Sequence, residues 1–372
     1  MKKLLIASAV SAAFAVPTAV IAQTAPAAPT LDKVLEASGI SLSGYIDTAY
    51  SRANRNIEAG IGTPPVAPRV FDDQNNSFAL HQVGLTVAKQ PKEGFGGLVN
   101  VTGGKDAQVI NSVGAATSQV DVTQAYGQYA TGHLTVIAGK YTTMHGTEVI
   151  ASTGNTNFSR SILFGAVPFT HTGVRGTYAV SDSVSLMAGV NNGWDQLSDA
   201  NKGKTLELGA TLTPIKPLSI VLSAMSGSEP VGTTNGTRTS LNAVGTYTLT
   251  DAISFGAEYL SVSQENFTSL VDGSAITAKY NGIAGYFTYM LTPKWRGVLR
   301  VESFTDTDGF HFGTVDTKYK EATATISYLA SDSYELRGEA RSDSADKAVF
   351  TDTGGAASKS LLTFAVQGIY KF

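Results

Sequence analysis

Little in this chain can do covalent chemistry. Five histidines stand at 81, 133, 145, 171 and 311 without metal-ligand spacing, and the absence of cysteine removes the common structural zinc sites. No metal and no cofactor is expected. There is no G-x-S-x-G elbow and no glycine-rich phosphate loop closing in Lys-Ser/Thr; "NVTGGKD" (100–106) has neither the spacing nor a following helix. His145 or His171 with Ser152 or Ser159 would supply a Ser/His pair for a hydrolase, but no third group orients the base. The chain therefore reads as a non-enzyme.

The denser chemistry is electrostatic and runs at a period of two. In "SYELRGEARSD" (333–343), Glu335, Arg337, Glu339 and Arg341 share one side of a strand while Tyr334, Leu336, Gly338 and Ala340 share the other. "WRGVLRVES" splits the same way, with Arg296, Arg300 and Glu302 against Trp295, Leu299 and Val301. Extending the parity to other strands adds Asp47, Arg175, Glu207, Glu258 and Glu321 to the polar set. One face needs water or partners; the other tolerates lipid.

The elements that would position these charges are strands throughout. Sixteen candidates are read: 40–52, 77–89, 94–103, 120–130, 133–142, 169–180, 183–193, 204–212, 217–226, 239–249, 253–264, 277–291, 294–304, 318–329, 333–343 and 358–372. Turns such as "QPKE", "SDS" and "TPK" alternate with long polar connections at 53–76, 104–119, 143–168, 194–203, 227–238, 265–276, 305–317 and 344–357. Short turns at one end and long loops at the other are the habit of an outer-membrane barrel. Phe95, Tyr129, Tyr178, Tyr247, Phe255, Tyr289, Trp295, Tyr328 and Tyr334 cluster near the short turns, as rings at head-group depth do. Tyr370 and Phe372 join them on a final strand expected to pair with 40–52 and remove the open edge.

Composition agrees. The 372 residues hold 38 glycines, 15 tyrosines and 16 phenylalanines, with 15% charged residues against about 25% in ordinary soluble domains. Acidic residues outnumber basic ones, 30 to 27, which disfavours nucleic acid as a partner. Residues 1–22 read as a signal peptide and 23–39 as a leader containing a short helix at "LDKVLEAS", with the barrel at 40–372. The fold class is thus all-β, a transmembrane antiparallel barrel of sixteen strands.

Several stretches resemble the OmpL-like family of β-barrel porins of Gram-negative outer membranes: "LEASGISLSGYIDTAY" (35–50), "RVFDDQNNSFALHQVGLTVAK" (69–89), "GKYTTMHGTEVIASTGNTNFSRSILFGAVPFTHTGVRGTY" (139–178) and "SVSLMAGVNNGWDQLSD" (183–199). The resemblance implies a porin-type barrel without catalytic residues, and a terminal "YKF" by which Phe372 is read by barrel assembly machinery. It also makes a homotrimer a candidate assembly, by analogy with porins of this size.

At sixteen strands the interior outgrows its side chains and leaves a wet bore. The expected function is passive diffusion of small hydrophilic solutes and ions. The twelve charges named above would line the bore, seven acidic and five basic, a balance leaning towards cations or neutral solutes. The longest loop, 143–168, carries apolar pieces and the polar residues His145, Glu148 and Arg160, and is expected to fold inward and narrow the pore. Tyr45, Tyr126, Tyr280 and Tyr286 could face inward too, which keeps open a substrate-specific channel; a hydrolase or an adhesive barrel ranks lower. Two positions break parity: His81 points outward unless it lies above the bilayer or a bulge intervenes, and Lys140 needs a bulge at Gly139 to return to the lumen.

Overall fold

The computed structural model describes residues 30–55, 57, 68–115, 118–351 and 355–372. The signal-peptide reading at 1–22 lies outside them. A helix, α1 (Leu31–Ser38), ends at Gly39, whose φ of +68° takes the left-handed position that closes it.

Sixteen strands then form one closed barrel. The first half is β1 (Ser41–Ala53), β2 (Ser77–Lys89), β3 (Gly94–Gly103), β4 (Val120–Thr131), β5 (Leu134–Thr142), β6 (Thr170–Ser181), β7 (Val184–Asn191) and β8 (Thr205–Ile215). The second is β9 (Leu218–Val231), β10 (Thr234–Thr248), β11 (Ile253–Thr268), β12 (Ala275–Thr292), β13 (Trp295–Asp306), β14 (Thr317–Ser331), β15 (Tyr334–Ala345) and β18 (Ser360–Lys371). A separate ribbon, β16 (Phe350–Thr351) with β17 (Ala357–Ser358), decorates the last long connection.

Every barrel strand pairs antiparallel with its neighbours, and β18 returns to β1 from Tyr45 opposite Lys371 to Ala53 opposite Thr363. Phe372 finishes the seam by exchanging two backbone hydrogen bonds of 2.9 Å with Gly44. No edge is left, as a wall in hydrocarbon requires.

Burial is inverted relative to a water-soluble sheet. Along β15 the charged residues Glu335, Arg337, Glu339 and Arg341 are buried while Tyr334 and Leu336 are exposed. On β18, Phe364 and Val366 stand out at 55% and 61% exposure while Gln367 is buried at 1%. An outward aliphatic belt with polar groups inside is what lipid on one side selects. Among the aromatics read as a girdle, Tyr328 is half-buried and the rest are exposed, with Trp295 packed on Tyr328 at 4.9 Å between ring centroids.

Two connections correct the expected pattern. The loop expected at 227–238 is strand almost throughout: β9 and β10 stay paired to Val231 opposite Thr234, leaving a turn at Gly232 and Thr233. The loop expected at 265–276 shrinks likewise, because β11 and β12 pair to Thr268 opposite Ala275. Polar Ser, Thr, Asn and Gly signal departure from the lipid belt, not the end of hydrogen-bonded pairing.

Both parity breaks are resolved locally. Asp47 faces Gln82 and Thr48 faces Leu80, so His81 is the extra residue of a β-bulge and turns inward to bond Asp106 at 2.9 Å. At Gly139 there is no inserted residue; pairing with β4 and β6 runs through it, and a φ of +135° accommodates the distortion instead. Lys140 is buried on Asp121 at 3.1 Å. A Cβ at Gly139 would sit 2.2 Å from the Ala125 carbonyl oxygen. Gly139→Ala should therefore cost roughly 1–3 kcal/mol, read as a lower unfolding temperature in detergent; an unchanged temperature would refute the strain.

Candidate functional site: the occupied bore

The core of this molecule is inside its barrel. Loop 143–168 turns inward, and its short helix α2 (Ile162–Gly165) packs Ile162 and Leu163 against Leu260, Val262, Tyr280, Ala284, Phe304 and Tyr319. Those six occupy buried positions on β11 to β14, so that flank of the bore is dry and apolar toward the loop end. A second cluster joins Phe71, Ile110, Ile150 and Phe164.

The charges read from strand parity hold this loop. Glu339 accepts the N–H groups of Phe158 and Ser159 at 2.7 and 2.9 Å, and Glu302 those of Ile162 and Leu163 at 3.0 and 3.1 Å. Arg337 donates to the carbonyls of Asn155 and Asn157 at 2.7 and 3.0 Å, and Arg341 to that of Arg160. Arg300 reaches Glu148 at 2.7 Å and the Ser159 carbonyl at 2.8 Å, and Glu321 at 3.2 Å. Asp47 accepts from the Ser152 hydroxyl, and Glu258 from the Thr147 N–H at 2.9 Å.

Four remain on the wall: Arg175 pairs with Glu207 at 2.8 Å, and half-buried Arg296 pairs with Glu335. All twelve therefore share the inward face, but all except Arg296 are at most 8% exposed. The sequence reading expects a water-wetted wall at these positions. The structure instead satisfies the carboxylates with loop N–H groups and the guanidiniums with loop carbonyls, because a loop folded into a bore brings unpaired backbone that must be matched.

The loop residues named from sequence act within this network. Arg160 donates to the carbonyls of Val149, Phe158 and Ile150 at 3.0, 2.9 and 2.9 Å, stapling the loop to itself. Glu148 bridges Arg300 and the Ser161 N–H. His145 lies between Ser223 and Ser240, 2.8 Å from each, and burial followed by repulsion from His171 and Arg175 lowers it to about 3. It is a neutral anchor. The Ser/His pairs do not assemble: Ser152 bonds Asp47, Ser159 bonds Arg300, and His171 bonds Thr143 and the Gly193 carbonyl.

Sequence reasoning missed the outer latch. Arg69 bonds Asp72, Asp343 and Thr363, while Asp72 lies 3.8 Å from Arg341. Burial opposes ionisation of Asp72, but Arg69 and Arg341 hold its carboxyl below the usual range. It also missed Asp195, at φ +53°, which accepts from the N–H groups of Phe169 and Thr170 at 2.7 and 2.9 Å and so fixes the end of the inward loop.

Burial raises Asp195 to about 6. The folded chain therefore favours the protonated carboxyl: its contribution to stability is full below the ordinary carboxylate range and is lost as pH rises through about 6. Asp195→Asn should flatten the fall in unfolding temperature between about pH 4 and pH 7. A slope identical to the parent's would remove Asp195 from the account.

One space beside the loop lies against β3, β4 and β5. A cavity of about 250 Å3 is bounded by Asn100, Thr102, Thr123, Gln124, Thr142 and Thr143 on the wall side and by loop residues 148–151 opposite. Above it, a second space of about 600 Å3 opens among Arg69, Val70, Phe169, Phe267, Phe310, His311 and Phe312. Burial, and then Arg238, lowers His311 to about 4. Among the described residues no group of three or more His, Asp or Glu could hold a metal ion.

A family model described as "Putative beta-barrel porin-2, OmpL-like" matches residues 39–372. No curated protein matches the chain. Among solved structures, the outer membrane channel DcaP of Acinetobacter baumannii is 15% identical with a TM-score of 0.63, over 90% of this chain and 97% of that one. An anion-selective porin from Comamonas acidovorans is 10% identical with a TM-score of 0.63, over 90% and 99%. OmpT of Vibrio cholerae in a trimer form is 15% identical with a TM-score of 0.58, over 90% and 99%. These likenesses are in fold.

Proposed function

The chain belongs to the OmpL-like beta-barrel porin-2 family of outer-membrane porins, and on that premise we propose a passive diffusion channel for small hydrophilic solutes, narrowed by loop 143–168. The carrying observation is the loop itself: it crosses a closed bore, is tied to strands all round it, and leaves the 250 Å3 space beside β3 to β5. Purified protein in planar bilayers should give discrete, ohmic steps in KCl. A barrel that inserts but never conducts would refute the channel.

A filled flank and a narrow remainder also favour small steps that solutes can block, as a substrate-specific channel gives. Segment 1–22 would direct export through the periplasm, Phe372 would be the residue that assembly machinery reads, and the family's barrels place the chain at the Gram-negative outer membrane. A homotrimer is the assembly we favour, since the Vibrio cholerae protein of like fold forms one.

A further inference from the structure

The two open spaces meet at one side chain. Phe169 borders both the outer cavity and the inner one, and its backbone is fixed by Asp195. Their walls differ in kind.

The outer space is aromatic: Phe169, Phe267, Phe310 and Phe312 frame it. Its charged side chain, Arg69, is already paired with Asp72 and Asp343. The inner space is edged by amide and hydroxyl groups from Asn100, Thr102, Thr123 and Gln124, facing the aliphatic Val149, Ile150 and Ala151. Glu148 borders it too, but its carboxylate is taken by Arg300 and the Ser161 N–H, and His145 is held between two serine hydroxyls. Among the described residues that line this route, every charge is paired within the wall.

A route with no free charge offers a bulky organic anion nothing in exchange for its hydration shell, and such a transfer is costly, whereas K+ and Cl− are small enough to pass with their water. An uncharged solute with many hydroxyls loses less: Asn, Gln and Thr both donate and accept, and can replace its water bond for bond. A saturated ring also has a C–H face that packs on aromatic surface.

We propose, building on the channel reading above, that these two cavities form a single path selective for small uncharged polyhydroxylated rings, the chemical class of neutral monosaccharides. The aromatic chamber receives the C–H face, and the Asn100–Gln124 wall takes the hydroxyls. Phe169, at the junction, is the specificity-determining residue. Charged analogues of equal size are excluded at the inner space.

The test uses the full chain in liposomes and planar bilayers, with glucose and its size-matched carboxylate, glucuronate, as probes. Glucose should enter roughly threefold or more faster than glucuronate, and should reduce the KCl current in a concentration-dependent way. Phe169→Ala should abolish that reduction while Phe169→Tyr keeps it, which separates loss of stacking from misfolding. Gln124→Glu, which adds a negative charge to the wall that takes the hydroxyls, should widen the ratio of glucose to glucuronate entry. Normal KCl steps with equal entry of the two probes, or with an undiminished glucose effect in Phe169→Ala, would overturn the selectivity while leaving the channel standing. Absence of KCl steps from the parent chain would instead bring down the channel reading itself.

Discussion

Deleting residues 147–160 should raise single-channel conductance about twofold or more while the barrel still folds. The wall does not need the loop for its own hydrogen bonds: β5 and β6 pair directly from Leu134 opposite Tyr178 to Thr142 opposite Thr170. What the deletion removes is the plug of Ser152, Asn155, Asn157, Phe158, Ser159 and Arg160 that Asp47, Arg337, Glu339 and Arg300 now hold. Water replaces it, and Glu339 and Arg337 become the solvated wall that alternation alone anticipates. Conductance equal to the parent's in planar bilayers would mean that the narrowest point lies elsewhere.

Arg300→Ala should be the most damaging single substitution in the bore. Its guanidinium is fully buried and faces Glu148, Glu321 and Glu302, the last at 3.6 Å. Removing it leaves buried carboxylates without their cation, which costs roughly 3–5 kcal/mol. Arg300→Lys should recover only part, because one ammonium cannot match a planar fork that serves Glu321, Glu148 and the Ser159 carbonyl together. Two readouts are expected to move: the unfolding temperature in detergent falls, and trypsin gains access to Arg160, now buried in the loop. A variant that melts as the parent does and keeps Arg160 protected would show that the pairing is not what seats the loop.

The barrel was legible because lipid leaves a period-two signature that nothing in the tertiary structure overrides. Leu206 and Leu208 are about 60% exposed while Glu207 between them is buried at 1%, as parity alone dictates. Strand ends were less legible: polar residues 227–238 read as loop, yet they pair, because ladder bonds do not depend on which side chains a strand carries above the membrane.

The site was half legible. Parity told which charges face inward, but what a charge meets there is long-range information: Glu339 meets the N–H of Phe158, and Arg341 the carbonyl of Arg160, each 181 residues away along the chain. Asn100 shares the inward parity of Thr102, but Gln124 shares the parity of exposed Val120 and Val122 and turns inward only past a register shift at Thr123 that the sequence does not announce. The Arg69–Asp72 latch had no signal at all, since a three-residue spacing in a loop implies no geometry.

The continued pairing of β9 to β12 has a consequence for approach from outside. β12 runs for 18 residues against 8 in β7 and 9 in β5. At about 3.4 Å per residue its length is about 60 Å, well over what a tilted strand needs to cross an apolar band about 25 Å tall. The rim is thus a parapet on one side and a low sill on the other: the aromatic chamber of Phe267, Phe310 and Phe312 stands against the tall side, and the inner space lies beside β3 to β5 on the low one. An incoming molecule therefore descends along the inner side of a stiff screen before it turns towards the low wall.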